Sequence, residues 1–162
     1  MTQATDRAPT MRPLARRPLT PAERGLAEEM FGSGLDAARV RILALPAWPR
    51  AFVAGPRLIV WPAAHALADF ADAPLRLQAT LVHELTHVWQ AQRGVFLPLA
   101  KLRAGDSAAS YAYDLAAGPP FEALNIEQQA SVVEHAFLVS RGVKAPFAAP
   151  LYAEAASAWR TV

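Results

Sequence analysis

The chain has 162 residues, of which 53% are hydrophobic and 19% charged, a composition typical of a folded domain with a core of its own. The absence of cysteine excludes disulfides and thiolate metal sites. The formal net charge is only +2 and no basic stripe alternates with aromatic residues, so nucleic acid is not expected as a partner. No apolar run reaches the roughly 18 residues of a membrane span and no secretory leader is visible, so we expect no membrane partner and a cytoplasmic location.

The first 19 residues predict a disordered arm. They hold four arginines and three prolines, and little that could pack against a core. A single domain is then predicted over residues 20–162. It would begin with a helix, because Thr20 suits the N-cap, Pro21 the first helical position and Glu23 the closing position of a capping box.

Three short strands are predicted after this helix. Residues 39–43 alternate between polar and apolar side chains, and residues 51–54 and 57–61 flank a Gly-Pro turn. The fold class is therefore α+β, with a small sheet of about three strands ahead of the next long helix.

A helix predicted from about residue 75 to 93 carries the most specific motif in the chain, His83-Glu84-Leu85-Thr86-His87. An α-helix turns about 100° per residue, so His83 and His87 lie on nearly the same face, one turn apart. Both imidazoles could therefore bind one zinc ion. Glu84 lies beside the metal position without being a ligand, a geometry that suits a general base acting on water.

A catalytic zinc needs a third protein ligand, and the helix predicted from about residue 121 to 141 offers one. Glu127 is our first choice. Glu134, two turns further on a neighbouring face, is the alternative, either as the ligand or as a hydrogen-bond partner of a ligand histidine. His135 is rotated off that face and ranks third, and the spacing of His65 does not favour a ligand role.

Two tyrosines and an aspartate lie close together between these helices, at Tyr111, Tyr113 and Asp114. A tyrosine hydroxyl could stabilise the oxyanion of a reacting carbonyl, and we assign this catalytic role to Tyr113 ahead of Tyr111. The aspartate could orient a ligand histidine. The alternative is that both tyrosines are amphipathic core residues with satisfied hydroxyls.

These motifs together resemble known proteins, over a span from about residue 17 to residue 142. The His-Glu-x-x-His motif followed by a glutamate on a later helix is similar to the gluzincin class of zinc metallopeptidases. A closer similarity is to the small bacterial family called Vgr-related. It rests on four segments: Arg17–Arg24, His83–Gln90, Tyr111–Asp114 and Asn125–Ala130.

The resemblance implies a zincin-like fold, with a small sheet, an active-site helix and a following helix that bears the glutamate ligand. It implies one Zn²⁺ held by His83, His87 and Glu127, with Glu84 as the base, and it suggests an association with contractile secretion or phage-like systems. One position departs from the gluzincin pattern. Many gluzincins place an aspartate four residues after the ligand glutamate to support a ligand histidine, and this chain has Ser131 there. Other carboxylates would have to take that role, namely Asp106, Asp114 or Glu134.

The sequence thus predicts a zinc-dependent metallopeptidase that hydrolyses a peptide or protein substrate through a metal-activated water. The alternative is a catalytically inactive zinc-binding module that assembles with protein partners of a secretion or phage-like system. The shortness of the chain favours this alternative, because little material is left to build specificity pockets. Two histidines and a carboxylate also suit non-haem iron, but the spacing of the motif on one helix favours zinc.

Overall fold

The computed structural model describes residues 8–160 as a mixed α+β fold. In chain order the strands and helices are β1 (Arg16–Pro18), α1 (Pro21–Phe31), β2 (Arg41–Leu45), β3 (Phe52–Val53), β4 (Leu58–Pro62), α2 (Leu75–Gln92), α3 (Leu97–Ala104), α4 (Ala108–Tyr111), α5 (Ile126–Ser140) and α6 (Ala149–Ala155). Short 3₁₀ turns occur at Ala37–Arg39, Phe121–Ala123 and Ala156–Ala158. Within residues 8–160, no helix has both the length and the hydropathy that crossing a membrane requires.

The sheet has four strands in the order β1-β2-β4-β3. The three predicted strands are β2, β3 and β4. The central pair, β2 and β4, is parallel, with the buried residues Ile42 and Ile59 opposite each other. β3 pairs antiparallel with β4 and forms one edge of the sheet.

The N-terminal segment differs from the predicted disordered arm. Residues 1–7 of that arm lie outside the described residues. From residue 8 onward the segment belongs to the fold, because residues 16–18 form β1 and pair antiparallel with β2. Met11 and Leu19 are buried in the core, and the backbone N–H of Met11 donates to the carbonyl of Ala66 at 2.7 Å.

A buried ion pair explains this difference. The Arg17 guanidinium donates to both carboxylate oxygens of Glu23 at 2.7 Å. Glu23 is fully buried and also accepts from the backbone N–H groups of Thr20 and Phe70. The predicted capping box at Thr20 is confirmed. Its glutamate additionally joins β1, α1 and the segment before α2, since a buried carboxylate is stable only when paired and hydrogen-bonded.

Helices α2 and α5 pack against each other at the centre of the core. The apolar face of α2 is buried at Leu81, Leu85 and Val88, all 0% exposed. Val133 and Phe137 of α5 are likewise 0% exposed. The His-Glu-x-x-His motif therefore lies on one of two tightly packed helices.

Helix α5 begins later than predicted. The side-chain oxygen of Asn125 accepts from the backbone N–H groups of Glu127 and Gln128 at 2.9 Å, which caps the helix at that point. The residues before it form the separate 3₁₀ turn. The cap places Glu127 in the first turn of α5, facing α2.

Removing the carboxylate of Glu23 should strongly destabilise the fold. Glu23→Ala leaves two backbone N–H groups without an acceptor and removes the carboxylate partner of the Arg17 guanidinium, which still donates to the carbonyls of Pro18 and Leu67. We expect it to lower the free energy of unfolding by about 3–5 kcal/mol. Urea denaturation followed by circular dichroism measures the loss. The exposed Glu28 on the same helix gives the control, Glu28→Ala, expected to change stability by no more than about 0.5 kcal/mol. Equal stability of the two variants would contradict the proposed importance of the ion pair.

Candidate metal centre

His83, His87 and Glu127 meet between α2 and α5. One ligand atom from each lies within 4.8 Å of the others. Glu127 Oε2 is 3.3 Å from His83 Nε2 and 3.5 Å from His87 Nε2. Ligand atoms of a tetrahedral zinc with bonds of about 2.0–2.1 Å lie roughly 3.3–3.4 Å apart, so these separations fit such a site. The structure thus brings together the three residues predicted as metal ligands.

The tautomer of His87 is fixed by Gln90. The amide nitrogen of Gln90 donates to the carbonyl of Ile126 at 3.0 Å and to the side-chain oxygen of Gln129 at 2.9 Å. Its oxygen must therefore accept from His87 Nδ1, at 2.8 Å. Because Nδ1 carries the proton, a neutral His87 presents the lone pair of Nε2 to the point shared with Glu127.

Glu134 orients His83 in the same way. His83 Nδ1 is 2.9 Å from Glu134 Oε2, and a carboxylate only accepts, so Nδ1 is the donor. Burial lowers the pKa of His83, but its hydrogen bonds to Glu127 and Glu134 outweigh burial and raise the pKa to about 10. The point between His83, His87 and Glu127 therefore favours positive charge. A divalent cation bound to His83 Nε2, His87 Nε2 and Glu127 Oε2 would supply that charge in place of a proton.

Glu84 lies beside this point, but one of its carboxylate oxygens, Oε2, has no hydrogen-bond partner among the described residues. The residue is 7% exposed. Burial raises the pKa of the Glu84 carboxyl above its usual range, which favours a group that takes up and releases a proton. An unpaired buried carboxylate oxygen next to three convergent ligands is the arrangement that a metal site with a water would complete, so these residues fit a catalytic zinc.

Lys101 and Tyr111 also face the centre; the sequence predicts no role for Lys101 and ranks Tyr111 behind Tyr113. Lys101 Nζ donates to Glu127 Oε1 at 2.5 Å and to the Tyr111 hydroxyl at 3.1 Å. The Tyr111 hydroxyl donates to Asp106 Oδ1 at 3.2 Å, and Arg50 holds the other oxygen of Asp106 at 2.6 Å. In the sequence Lys101 is a cation on a short helix, a pattern that normally indicates a solvated side chain and gave no signal of this contact.

These residues line a cavity of about 680 Å³ that opens beside the three convergent ligands. Much of the remaining lining is apolar. It includes Leu97 and Pro98 of α3 and the aromatic pair Trp48 and Phe52, whose ring centroids are 5.4 Å apart. Phe52 belongs to the edge strand β3, so the cavity runs along an edge of the sheet.

The structure places Tyr113 away from this cavity. Its hydroxyl contacts His135 Nδ1 at 2.5 Å and the Tyr152 hydroxyl at 2.7 Å, and its ring packs against Phe147. The Tyr113 hydroxyl and His135 are therefore hydrogen-bonded to each other, and neither residue lines the cavity. Tyr111, ranked behind Tyr113 from the sequence, is the tyrosine beside His83, with ring centroids 6.4 Å apart.

The remaining predicted residues are not at the convergence point. His65 is exposed in the loop after β4. Asp114 accepts from the backbone of its own turn, at Ala116 and Ala117. Of the three carboxylates named as possible supports for a ligand histidine in place of Ser131, Glu134 is the one that contacts His83.

Comparison with known proteins adds an independent line of evidence. No protein-family profile matches the chain. The chain is 32% identical over 136 residues to the type VI secretion system spike protein VgrG2b of Pseudomonas aeruginosa, a match that covers 76% of this chain and 13% of that protein. The solved effector domain of P. aeruginosa VgrG2b has a TM-score of 0.68 and 29% identity, covering 91% of this chain and 85% of that chain.

The chain is homologous to this effector domain. The relation to Vgr proteins predicted from the sequence is thereby confirmed. The chain corresponds to most of the effector domain but to a small part of the length of the spike protein.

The zinc content of variants should distinguish the roles of Glu127 and Glu134, the two glutamates of α5. We expect about one zinc per chain in the wild type, none in Glu127→Ala, and retained but roughly 10–100-fold weaker binding in Glu134→Ala, because Glu134 only orients His83. Elemental analysis of protein purified without chelator or tag metal measures this, with the exposed Glu28→Ala as the matched control. Loss of zinc from Glu134→Ala with zinc retained in Glu127→Ala would instead make Glu134 the ligand.

Proposed function

We propose that the chain is a zinc-dependent peptidase domain with a zincin-like fold, acting as an effector of a secretion system. The observation that carries this proposal is the convergence of three lone-pair atoms, from His83, His87 and Glu127, beside the unpaired buried oxygen of Glu84. When bound there, zinc would lower the pKa of a water and polarise a peptide carbonyl. The chain's own residues supply the remaining functions.

Glu84 is the proton carrier in this proposal. Its Oε2 accepts a proton from the attacking water and delivers it to the nitrogen of the leaving amine. The raised pKa of this buried carboxyl suits both steps, because the group has to hold the proton between them. Hydrolysis then returns Glu84 to its ionised form.

Tyr111 is the proposed donor to the carbonyl oxygen. In this structure its hydroxyl proton is accepted by Asp106, whose charge is also balanced by Arg50 and Lys101. Those two cations hold Asp106 whether or not Tyr111 donates to it, so the hydroxyl can turn to a developing oxyanion. A donor on the cavity wall beside His83 is better placed for this than Tyr113.

A peptide or protein substrate is supported by the shape of the cavity. β3 pairs with β4 on one side and lies at the sheet edge, so an extended chain could add to its other side. The apolar wall of Trp48, Phe52 and Leu97 would then contact its side chains.

The homology to an effector domain of a type VI secretion spike protein supports the place of the chain in a secretion system. A secretion-system protein is accordingly the partner we propose besides the substrate. The alternative, an inactive zinc module that serves assembly, would use a closed site with its fourth position filled. The open cavity and the unpaired oxygen of Glu84 favour the peptidase.

Glu84→Gln should bind zinc and lose hydrolysis. The amide keeps the volume of the side chain but does not take up a proton, and general-base catalysis contributes about 10²–10⁴-fold, so we expect kcat to fall by that factor with one zinc retained. Cleavage of a fluorogenic peptide library, with elemental analysis on the same samples, measures both. Undiminished hydrolysis in this variant would remove Glu84 from the mechanism.

The two tyrosines provide a matched pair. Tyr111→Phe should lower kcat by about 10²–10³-fold with little change in KM, as expected for a donor that acts in the transition state. Tyr113→Phe should leave kcat within about threefold, because its hydroxyl contacts His135 and Tyr152 instead of the cavity. The reverse result would return the catalytic role to Tyr113.

A further inference from the structure

The two oxygens of the Glu127 carboxylate have different partners. Its Oε2 faces the Nε2 atoms of His83 and His87, at 3.3 and 3.5 Å. Its Oε1 accepts from Lys101 Nζ at 2.5 Å. Glu127 is 3% exposed, so water does not compete freely for either oxygen. One oxygen is thus committed to the metal position and the other to a cation.

This division matters because a glutamate can bind a metal through one oxygen or through both. A catalytic zinc has three protein ligands and one open position. A second oxygen from the same carboxylate would occupy coordination space that the substrate and water need. We propose that Lys101 is a positioning residue that keeps Glu127 a one-oxygen ligand and so keeps a coordination position open. The inference rests on the proposed function, since it concerns the same centre.

Lys101 is itself held in place. Its ammonium group contacts the Tyr111 hydroxyl at 3.1 Å and Asp106 Oδ1 at 3.4 Å, and Arg50 holds the other oxygen of Asp106. A flexible lysine loses side-chain entropy on being fixed in one position, and several hydrogen-bond partners offset that loss. Positive and negative side chains therefore alternate from the exposed surface to the proposed metal ligand, in the order Arg50, Asp106, Lys101 and Glu127.

Helix α3 delivers Lys101 to this position. Leu97, one turn earlier on the same face, is buried and lines the cavity. The backbone N–H of Val95 donates to the carbonyl of Gln90 at 3.1 Å, which ties the start of α3 to the end of α2. Arg103 is exposed on the same helix, and it serves as the matched control cation.

Metal affinity alone does not test the proposal, because Lys101 has opposing effects on it. Its charge repels a divalent ion, whereas its hydrogen bond orients the ligand. The number of ligands is the better measurement. Cobalt(II) in the site reports that number through its visible absorption, which is strong for four ligands and weak for five or six. Zinc X-ray absorption counts the oxygen neighbours directly.

The variants are Lys101→Met, which keeps the length of the side chain without its charge, Lys101→Arg, which keeps the charge, and Arg103→Met. We expect Lys101→Met to gain one oxygen neighbour at zinc and to lose the strong cobalt absorption, while the other two keep the wild-type spectra. Where the wild type cleaves a peptide, Lys101→Met should cleave it about 10–100-fold more slowly. Lys101→Ala gives a second measurement if Lys101→Met does not fold.

Unchanged cobalt and zinc spectra in Lys101→Met, or equal changes in Arg103→Met, would overturn the role of Lys101 without affecting the proposed peptidase. A wild-type protein that holds four-coordinate cobalt, responds to Lys101→Met and cleaves no peptide would overturn the peptidase and support the role of Lys101. A wild-type protein that takes up neither metal would overturn both.

Discussion

Three hydrogen-bond acceptors converge at one point between α2 and α5, and their closeness favours a positive charge there. His83, His87 and Glu127 turn lone pairs toward each other there, and Glu134 and Gln90 take the outer nitrogens of the two rings, so neither ring is free to rotate away. Lone pairs at such separations repel unless a proton or a metal ion lies between them. The hydrogen bonds from His83 to Glu134 and from His87 to Gln90 therefore act as a frame: they hold these acceptor atoms close together although the atoms repel one another.

That frame depends on the packing of two helices. The ligands of α2 lie within one turn of its fully buried residues Leu81 and Leu85, so the rings share the rigidity of the core. The third candidate ligand, Glu127, is positioned by the Asn125 cap, which sets where α5 begins and hence which way its first turn faces. A bound metal would link positions that are 44 residues apart in sequence, His83 and Glu127. Core packing and metal binding would then stabilise the same pair of helices.

The part of the site that could be predicted is the part that local periodicity determines. The His-Glu-x-x-His motif needs only a helix to bring its side chains together. The sequence predicts α5 from about residue 121 and does not single out the Asn125 cap, after which the helix begins at Ile126. The sequence ranks Tyr113 ahead of Tyr111, and it could not show that Tyr111 is the one that lines the cavity. The reason is that α4 ends at Tyr111 and the next residue is extended, so the two side chains point in different directions. Lys101 and Arg17 could not be assigned either. Each is a cation whose partner lies on another element of the fold, so the pair is recognised only once the two elements have packed together.

The unpaired oxygen of Glu84 has a consequence for how such a fold can change by mutation. A buried polar atom without a partner costs about 1–3 kcal/mol, a large share of the stability of a small domain. Selection for stability alone would replace this side chain with an apolar one, whereas the ligand residues, being paired, would be retained. In the proposed peptidase, stability and activity therefore oppose each other at this position. A relative without Glu84 would keep the three convergent side chains of His83, His87 and Glu127 in a more stable protein, and would lack the proposed proton carrier.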